Sequence, residues 1–345
     1  MSLSKEYSPE ELKDLEEKTI QFHNALFIPN INEQSLETIA NILNSTTNEQ
    51  RQIIRSKYKK ANNSPIQIDI KSKLEENFPL LKDICINMFD TLYEYDAREL
   101  NKILSATMGA EDDSIIEIFS TRPKHYLDIV DMAYKKFFEI SLKEEIQNQF
   151  QKEFAQFLIA IMETERPLDQ TISGNDAYEI AKDIAKNGYI AYSSDVNLFK
   201  NIFLEKSRED LIIISRVFYE KEQKTLYDFF EEENIEQKSL FDEKEEEKKV
   251  RNKNIKLIKG ILFGVIAPAQ FFARKIISSL SGFSSDINTL CRILINREEI
   301  DMNAIRDYYL KETNSDMVKD IENEYNCKEN PVIASILTTI SSQLN

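Results

Sequence analysis

Four stretches of this chain share one register, and that repetition limits the fold more than any other feature of the sequence. Ile42, Ile118, Ile202 and Ile293 act as anchors: twelve residues after each comes Ile54, Val130, Ile214 or Ile305, and sixteen after it Tyr58, Tyr134, Phe218 or Tyr309. The anchors are 76, 84 and 91 residues apart. That period is too long for two-helix repeats and fits units of several short helices stacked on a continuous core.

Helix is the expected local structure. Apolar residues recur at spacings of three and four, as in Ile39, Ile42 and Leu43 or Ile287, Leu290, Ile293 and Leu294. Only six glycines and eight prolines occur among 345 residues, too few for a turn-rich sheet protein. The first helix announces its start, with Ser8 as cap, Pro9 at the first position and Glu11 closing a capping box. Only a stub is expected ahead of it. The expected fold is all-α with four repeats, bounded near 9–90, 91–167, 168–266 and 267–345. The third repeat carries a charged insertion, Asp242 to Asn254, read as a solvated loop, although pairs such as Glu245 and Lys249 are spaced to support a helix. It is expected beside the third repeat's loop, ahead of an apolar helix beginning near Ile255.

Charge narrows the function. A formal net charge of −16 argues against nucleic acid, which needs a concentrated basic surface. The same charge repels an anionic lipid surface, so a membrane role requires a cation bridge or a local basic patch. Three scattered cysteines, Cys85, Cys291 and Cys327, make no disulfide framework, and the charged N-terminus lacks a signal-peptide core. A cytoplasmic protein is expected. The apolar stretch Ile255–Pro268 is interrupted by Lys256 and Lys259 and is too short to span a bilayer, so its Gly260-x-x-x-Gly264 pattern is read as close packing in a bundle. The two histidines, His23 and His125, fall in different repeats, and no glycine-rich phosphate loop occurs. Nothing reads as an enzyme active site.

The repeats resemble those of annexins. Tyr95–Leu100 with Ser114–Arg122 is similar to the start of an annexin second repeat, and Leu280–Asp286 with Thr289–Arg297 and Glu299–Asp301 to the fourth. Asn48–Ile53 and Asp69–Leu74 resemble the first. The resemblance implies five helices per repeat in a right-handed superhelix, and four repeats in a curved disc whose convex face carries calcium loops. In that family, carbonyls of a Gly-x-Gly loop between the first two helices share Ca2+ with a carboxylate from between the fourth and fifth. A bidentate carboxylate plus several carbonyls covers much of the shell of six to eight oxygens.

In this register the second glycine position lies nine residues before each anchor and the carboxylate position thirty-one after it. The first holds Glu33, Gly109, Ser193 and Ser284; the second holds Lys73, Gln149, Glu233 and Glu324. The resemblance therefore assigns the best site to repeat 4, with carbonyls of Leu280, Gly282 and Ser284 and the carboxylate of Glu324. Repeat 3 matches a longer variant of the loop, with carbonyls of Gly188, Ala191 and Ser193 and the carboxylate of Glu233. Tyr192 stands where some relatives expose an aromatic to lipid. Repeat 2 keeps Gly109 in a lengthened loop but offers only the neutral Gln149, and binds weakly if at all. Repeat 1, with Leu26–Asn30 and Lys73, has lost its site; Lys73 is read as a solvated lysine, with direct contact to a lipid phosphate as the alternative.

The implied function is calcium-dependent binding to acidic phospholipid, with phosphatidylserine-like headgroups completing the ion's shell. The alternative is a scaffold on cytoskeleton whose calcium dependence has faded, as in the annexin-like giardins of flagellate protists. Oligomeric state is not legible in the sequence.

Overall fold

Helix caps written in the sequence set the element boundaries. The computed structural model describes residues 6–105, 112–230, 245–281, 286–326 and 331–342, and every regular element among them is helical. The first repeat contributes α1 (Pro9–Leu26), α2 (Glu33–Asn44), α3 (Asn48–Asn62), α4 (Ile66–Leu74) and α5 (Pro79–Phe89). The second contributes α6 (Leu92–Leu104), α7 (Asp112–Thr121), α8 (Lys124–Phe138), α9 (Leu142–Gln149) and α10 (Lys152–Glu163). In the third, α11 (Gly174–Ser194) is followed by α12 (Val196–Phe199), which runs on through a π-helical turn at Lys200–Leu204, and by α13 (Arg208–Glu222). A helical segment begins at 226, and α14 (Glu245–Ile266) closes that repeat. The fourth is α15 (Pro268–Leu280), α16 (Ile287–Arg297), α17 (Met302–Thr313), α18 (Met317–Asn326) and α19 (Pro331–Ser342). Capping boxes at Ser8, Asn32, Thr47, Ser173 and Ser207 satisfy backbone N–H groups that a helix start leaves without partners.

Where it is described, the charged run is helix rather than loop. From Glu245 onward it is the first turns of α14, which starts ten residues before the expected Ile255. No glycine or proline interrupts residues 245–259. Glutamates in the first turn followed by lysines suit the helix dipole and place opposite charges one turn apart.

The chain forms two compact units, one of Met1–Tyr95 with Phe272–Asn345 and one of Asp96–Phe271. In the first, α2 packs on α19 and α5 on α16, joining repeats 1 and 4. Arg51, fully buried, occupies the position nine residues after its anchor, where the other repeats bury Leu127, Leu211 and Met302. A buried charge is costly without partners. Here Nε donates to the Met88 carbonyl at 2.9 Å, Nη1 to the carbonyls of Leu43 and Thr46, and Nη2 to Glu298 Oε2 at 2.9 Å. In the second unit α14 lies against α7. A methyl group at Gly260 would come within 2.7 Å of Ile116 Cγ2, and one at Gly264 within 2.9 Å of Thr121 Cγ2. The paired glycines therefore serve close packing inside a bundle, as their sequence context indicated. Arg122 and Asp96 form a buried pair in the same unit, Nε to Oδ2 at 2.8 Å.

One backbone feature recurs in all four repeats. Among the described residues, the non-glycine positions with positive φ are Asn63 (53°), Glu139 (63°), Gln223 (55°) and Asn314 (55°). Each lies twenty-one residues after its anchor and ends the third helix of its repeat. Asn tolerates the left-handed region; Glu and Gln adopt it at a cost of about 1 kcal/mol. Glu139 is exposed, so Glu139→Gly should relieve that cost without removing a contact. We expect stabilisation of about 1 kcal/mol by urea unfolding of the intact chain, with no such gain for Glu139→Ala.

Candidate functional site

Repeat 3 holds the most fully described loop. α11 is broken at Gly188, whose φ of 72° and ψ of 171° are open to glycine and strained for other residues. The break turns the following residues into a separate helical turn ending at Ser194. The Ala191 carbonyl accepts from Asp195 N–H at 3.0 Å, and Asp195 Oδ1 in turn caps α12 through Asn197 N–H at 2.7 Å. The Ser193 carbonyl accepts from Nδ2 of Asn254 at 2.8 Å, and both residues are buried. A carbonyl has two lone pairs, so these bonds fix the loop while leaving each oxygen capacity for a second donor or an ion. Asn254 belongs to α14, so the last residue of the charged run is bonded to this loop. Glu233 lies outside the described residues.

Tyr192 differs from expectation. It is 3% exposed, its ring meets that of Phe203 edge-on at 6.0 Å, and burial raises its phenol pKa. Burial wins because Tyr192 falls on the inward face of the short turn after Gly188. Ser194 and Asp195 are the residues that the turn exposes.

In repeat 4 the described residues frame the loop. Leu280, half-buried, ends α15; Asp286 N–H donates to the Ser279 carbonyl at 2.9 Å, and Asp286 Oδ1 accepts from Thr289 N–H at 3.0 Å to start α16. Gly282 and Ser284 lie outside the described residues. Glu324 sits half-buried in the last turn of α18.

The fourth helices of repeats 1 and 4 are pinned alike. Tyr58 donates to Asp69 Oδ2 at 2.8 Å and Ser64 to Oδ1 at 2.8 Å; Tyr309 donates to Asp320 Oδ2 at 2.8 Å and Ser315 to Oδ1 at 2.7 Å. Burial first, then the bonded carboxylate, pushes both phenols far up. In repeat 3 the same two positions are Phe218 and Phe229, whose rings pack 5.1 Å apart. The sequence carries this pattern sixteen and twenty-seven residues after the anchor, as Tyr and Asp in repeats 1 and 4 and as two phenylalanines in repeat 3.

The remaining loops differ in chemistry. In repeat 1, Lys73 Nζ lies 4.5 Å from the centroid of the Phe27 ring, so an ammonium group is held against the loop by a cation–π contact. Such a site does not fit a divalent cation. In repeat 2, residues 106–111, with Gly109, lie outside the described residues, and Gln149 Nε2 donates to Glu145 Oε1 at 2.8 Å. Among the described residues no three His, Cys, Asp or Glu side chains converge, and no helix is long and apolar enough to cross a membrane. The donors described in the repeat 3 loop are backbone carbonyls, oxygen ligands of the kind that a hard cation such as calcium accepts.

Comparison with known proteins agrees with this architecture. The family model for annexin matches residues 271–327. Annexin A1 of Rattus norvegicus is 26% identical over 289 residues, 84% of this chain and 77% of that protein. Annexin A13 of Mus musculus is 25% identical over 272 residues, 78% of each. Among solved structures, annexin III superposes with a TM-score of 0.80 at 21% identity, covering 96% of this chain and 94% of that one. A calcium-bound alpha-1 giardin superposes with a TM-score of 0.69 at 15% identity, covering 96% and 98%. At these identities the structural matches establish a shared fold.

The Asn254 to Ser193 bond gives a local test. Asn254→Ala leaves a buried carbonyl without that donor and should cost about 1–2 kcal/mol. Hydrogen exchange should accelerate at the amides of Tyr192 to Asp195 and change little at α8.

Proposed function

We propose that this chain, a divergent member of the annexin family, binds acidic phospholipid surfaces through Ca2+ held by the loops of repeats 3 and 4. The observation that carries the reading is the backbone of Gly188, which turns the repeat 3 loop as a carbonyl-lined site requires, in a register that puts a glutamate at the partner position. The carbonyls of Gly188, Ala191 and Ser193 with Glu233 would form one site, and those of Leu280, Gly282 and Ser284 with Glu324 the other. Bound calcium supplies the positive charge that a chain of net charge −16 lacks toward an anionic surface. Phosphate and serine carboxylate oxygens of the headgroups fill the coordination positions the protein leaves open. Without lipid such sites bind weakly, with Kd on the order of 10⁻⁴ to 10⁻³ M. Attachment is peripheral, on the cytosolic face.

A second reading, a cytoskeletal scaffold with faded calcium dependence, draws support from repeat 1, where Lys73, a cation at the carboxylate position, lies against Phe27. Vesicle pelleting across a calcium titration separates the two. With phosphatidylserine vesicles, Glu324→Ala should weaken binding more than Glu233→Ala, and Gln149→Ala should change little. The order follows from charge: each glutamate is the full negative charge of its ligand set, and Glu233 is followed closely by the charged run. Stability without calcium should move by no more than about 0.5 kcal/mol, because these are surface substitutions. Pelleting of the wild type in chelator to the same extent as in calcium would favour the scaffold.

A further inference from the structure

The charged run changes sign in its middle. Asp242–Glu247 holds five carboxylates and one lysine, whereas residues 248–259 hold six cations and no acid: Lys248, Lys249, Arg251, Lys253, Lys256 and Lys259. On α14, at about 100° per residue, the five lysines fall within an arc of about 140°. Val250, Asn254, Leu257, Ile258 and Ile261, on the opposite side, are buried. The helix therefore presents a lysine face on a chain that is otherwise strongly acidic.

Its neighbours place this face among the loops of the second unit. Lys256 Nζ lies 3.6 Å from Asp113 Oδ1 at the start of α7, which follows the repeat 2 loop. Lys253 Nζ lies 5.5 and 5.6 Å from the ring centroids of Phe150 and Phe154, at the turn between α9 and α10. Asn254 bonds the repeat 3 loop at Ser193. A cleft of about 550 Å³ beside that bond adds Lys152 and Arg251 to the positive groups, with Glu153 and Glu247 on its walls. Among the described residues, Asp113 faces Lys256, and Glu153 and Glu247 line the cleft. Lys249 and Lys256 are exposed and Lys248 is half-buried; Lys253, also half-buried, holds its ammonium over the rings of Phe150 and Phe154.

We infer that the lysine face of α14 is a calcium-independent contact for anionic lipid headgroups, set beside the repeat 3 loop. It rests on the reading that this loop end meets a membrane. Lysines near an anionic bilayer bind its phosphates by long-range attraction without a bridging ion, and each strengthens association by about fivefold. The face would hold the protein at the surface before calcium rises, so that the loops need complete only the final coordination. A lipid surface is favoured over nucleic acid because the cations form one narrow helical face within a chain of formal net charge −16, too acidic overall to hold a polyanion along its length.

The test uses the full chain, chelator and low salt, with vesicles of phosphatidylcholine alone or mixed with phosphatidylserine. The wild type should bind the mixed vesicles, not the neutral ones, and release as salt rises. The triple variant Lys248→Gln/Lys249→Gln/Lys256→Gln should bind about 100-fold more weakly, with an unchanged urea midpoint. The double variant Glu233→Ala/Glu324→Ala should keep the chelator-resistant binding and lose calcium-dependent enhancement, so failure of the calcium sites and failure of the lysine face give different results. Absence of wild-type binding in chelator, equal binding by the triple variant, or tighter binding of a single-stranded oligonucleotide than of the mixed vesicles would overturn the inference.

Discussion

Everything that makes the repeats comparable passes through one left-handed residue. At Asn63, Glu139, Gln223 and Asn314 the chain leaves its third helix through a conformation that three of the four helices seal with a backbone bond from the capping N–H. In repeats 1, 2 and 4 the turn starts a fourth helix whose far end carries the position thirty-one residues after the anchor. Lys73, Gln149 and Glu324 therefore sit at matching places on one scaffold and differ in charge. Glu and Gln at two of the turns show that packing of the helices outweighs local preference, since neither residue favours positive φ.

The scaffold and the sites have diverged by different rules. Buried positions change only with compensation: Arg51 enters the apolar core position of its repeat, and Glu298 and three backbone carbonyls answer its charge. The Tyr–Asp–Ser arrangement of repeats 1 and 4 becomes a Phe–Phe contact in repeat 3, a swap of a satisfied polar group for an apolar one. Loops carry no such constraint. In repeat 1 a lysine lies over the loop's phenylalanine, so a position that holds an acid in repeats 3 and 4 holds a cation. α14 shows the same freedom in another form: the helix gains turns at its N-terminus, and their charge is unlike that of the rest of the chain.

Much of this was legible in the sequence. The shared anchors and the apolar spacings of three and four indicate an all-α chain of four repeats, and the charged residues around Gly260 and Gly264 mark them as packing glycines, which lie against Ile116 and Thr121. Three features were not. The left-handed turns were hidden because glycine, their usual marker, is absent from all four. The helical state of Glu245–Asn254 was hidden because a polar run without apolar periodicity reads as loop, although its i,i+4 charge pairs were a usable signal. The burial of Tyr192 depends on how the chain continues after the break at Gly188, which spacing alone does not specify.

The central claim, that calcium occupancy follows the chemistry of the loops rather than the sameness of the scaffold, is tested most directly by diffraction from calcium-soaked crystals. The account predicts ions bound by the loops of repeats 3 and 4, with Glu233 and Glu324 as ligands, and Lys73 still against Phe27 in repeat 1. An ion in the loop of repeat 1, or none in repeats 3 and 4, would contradict it.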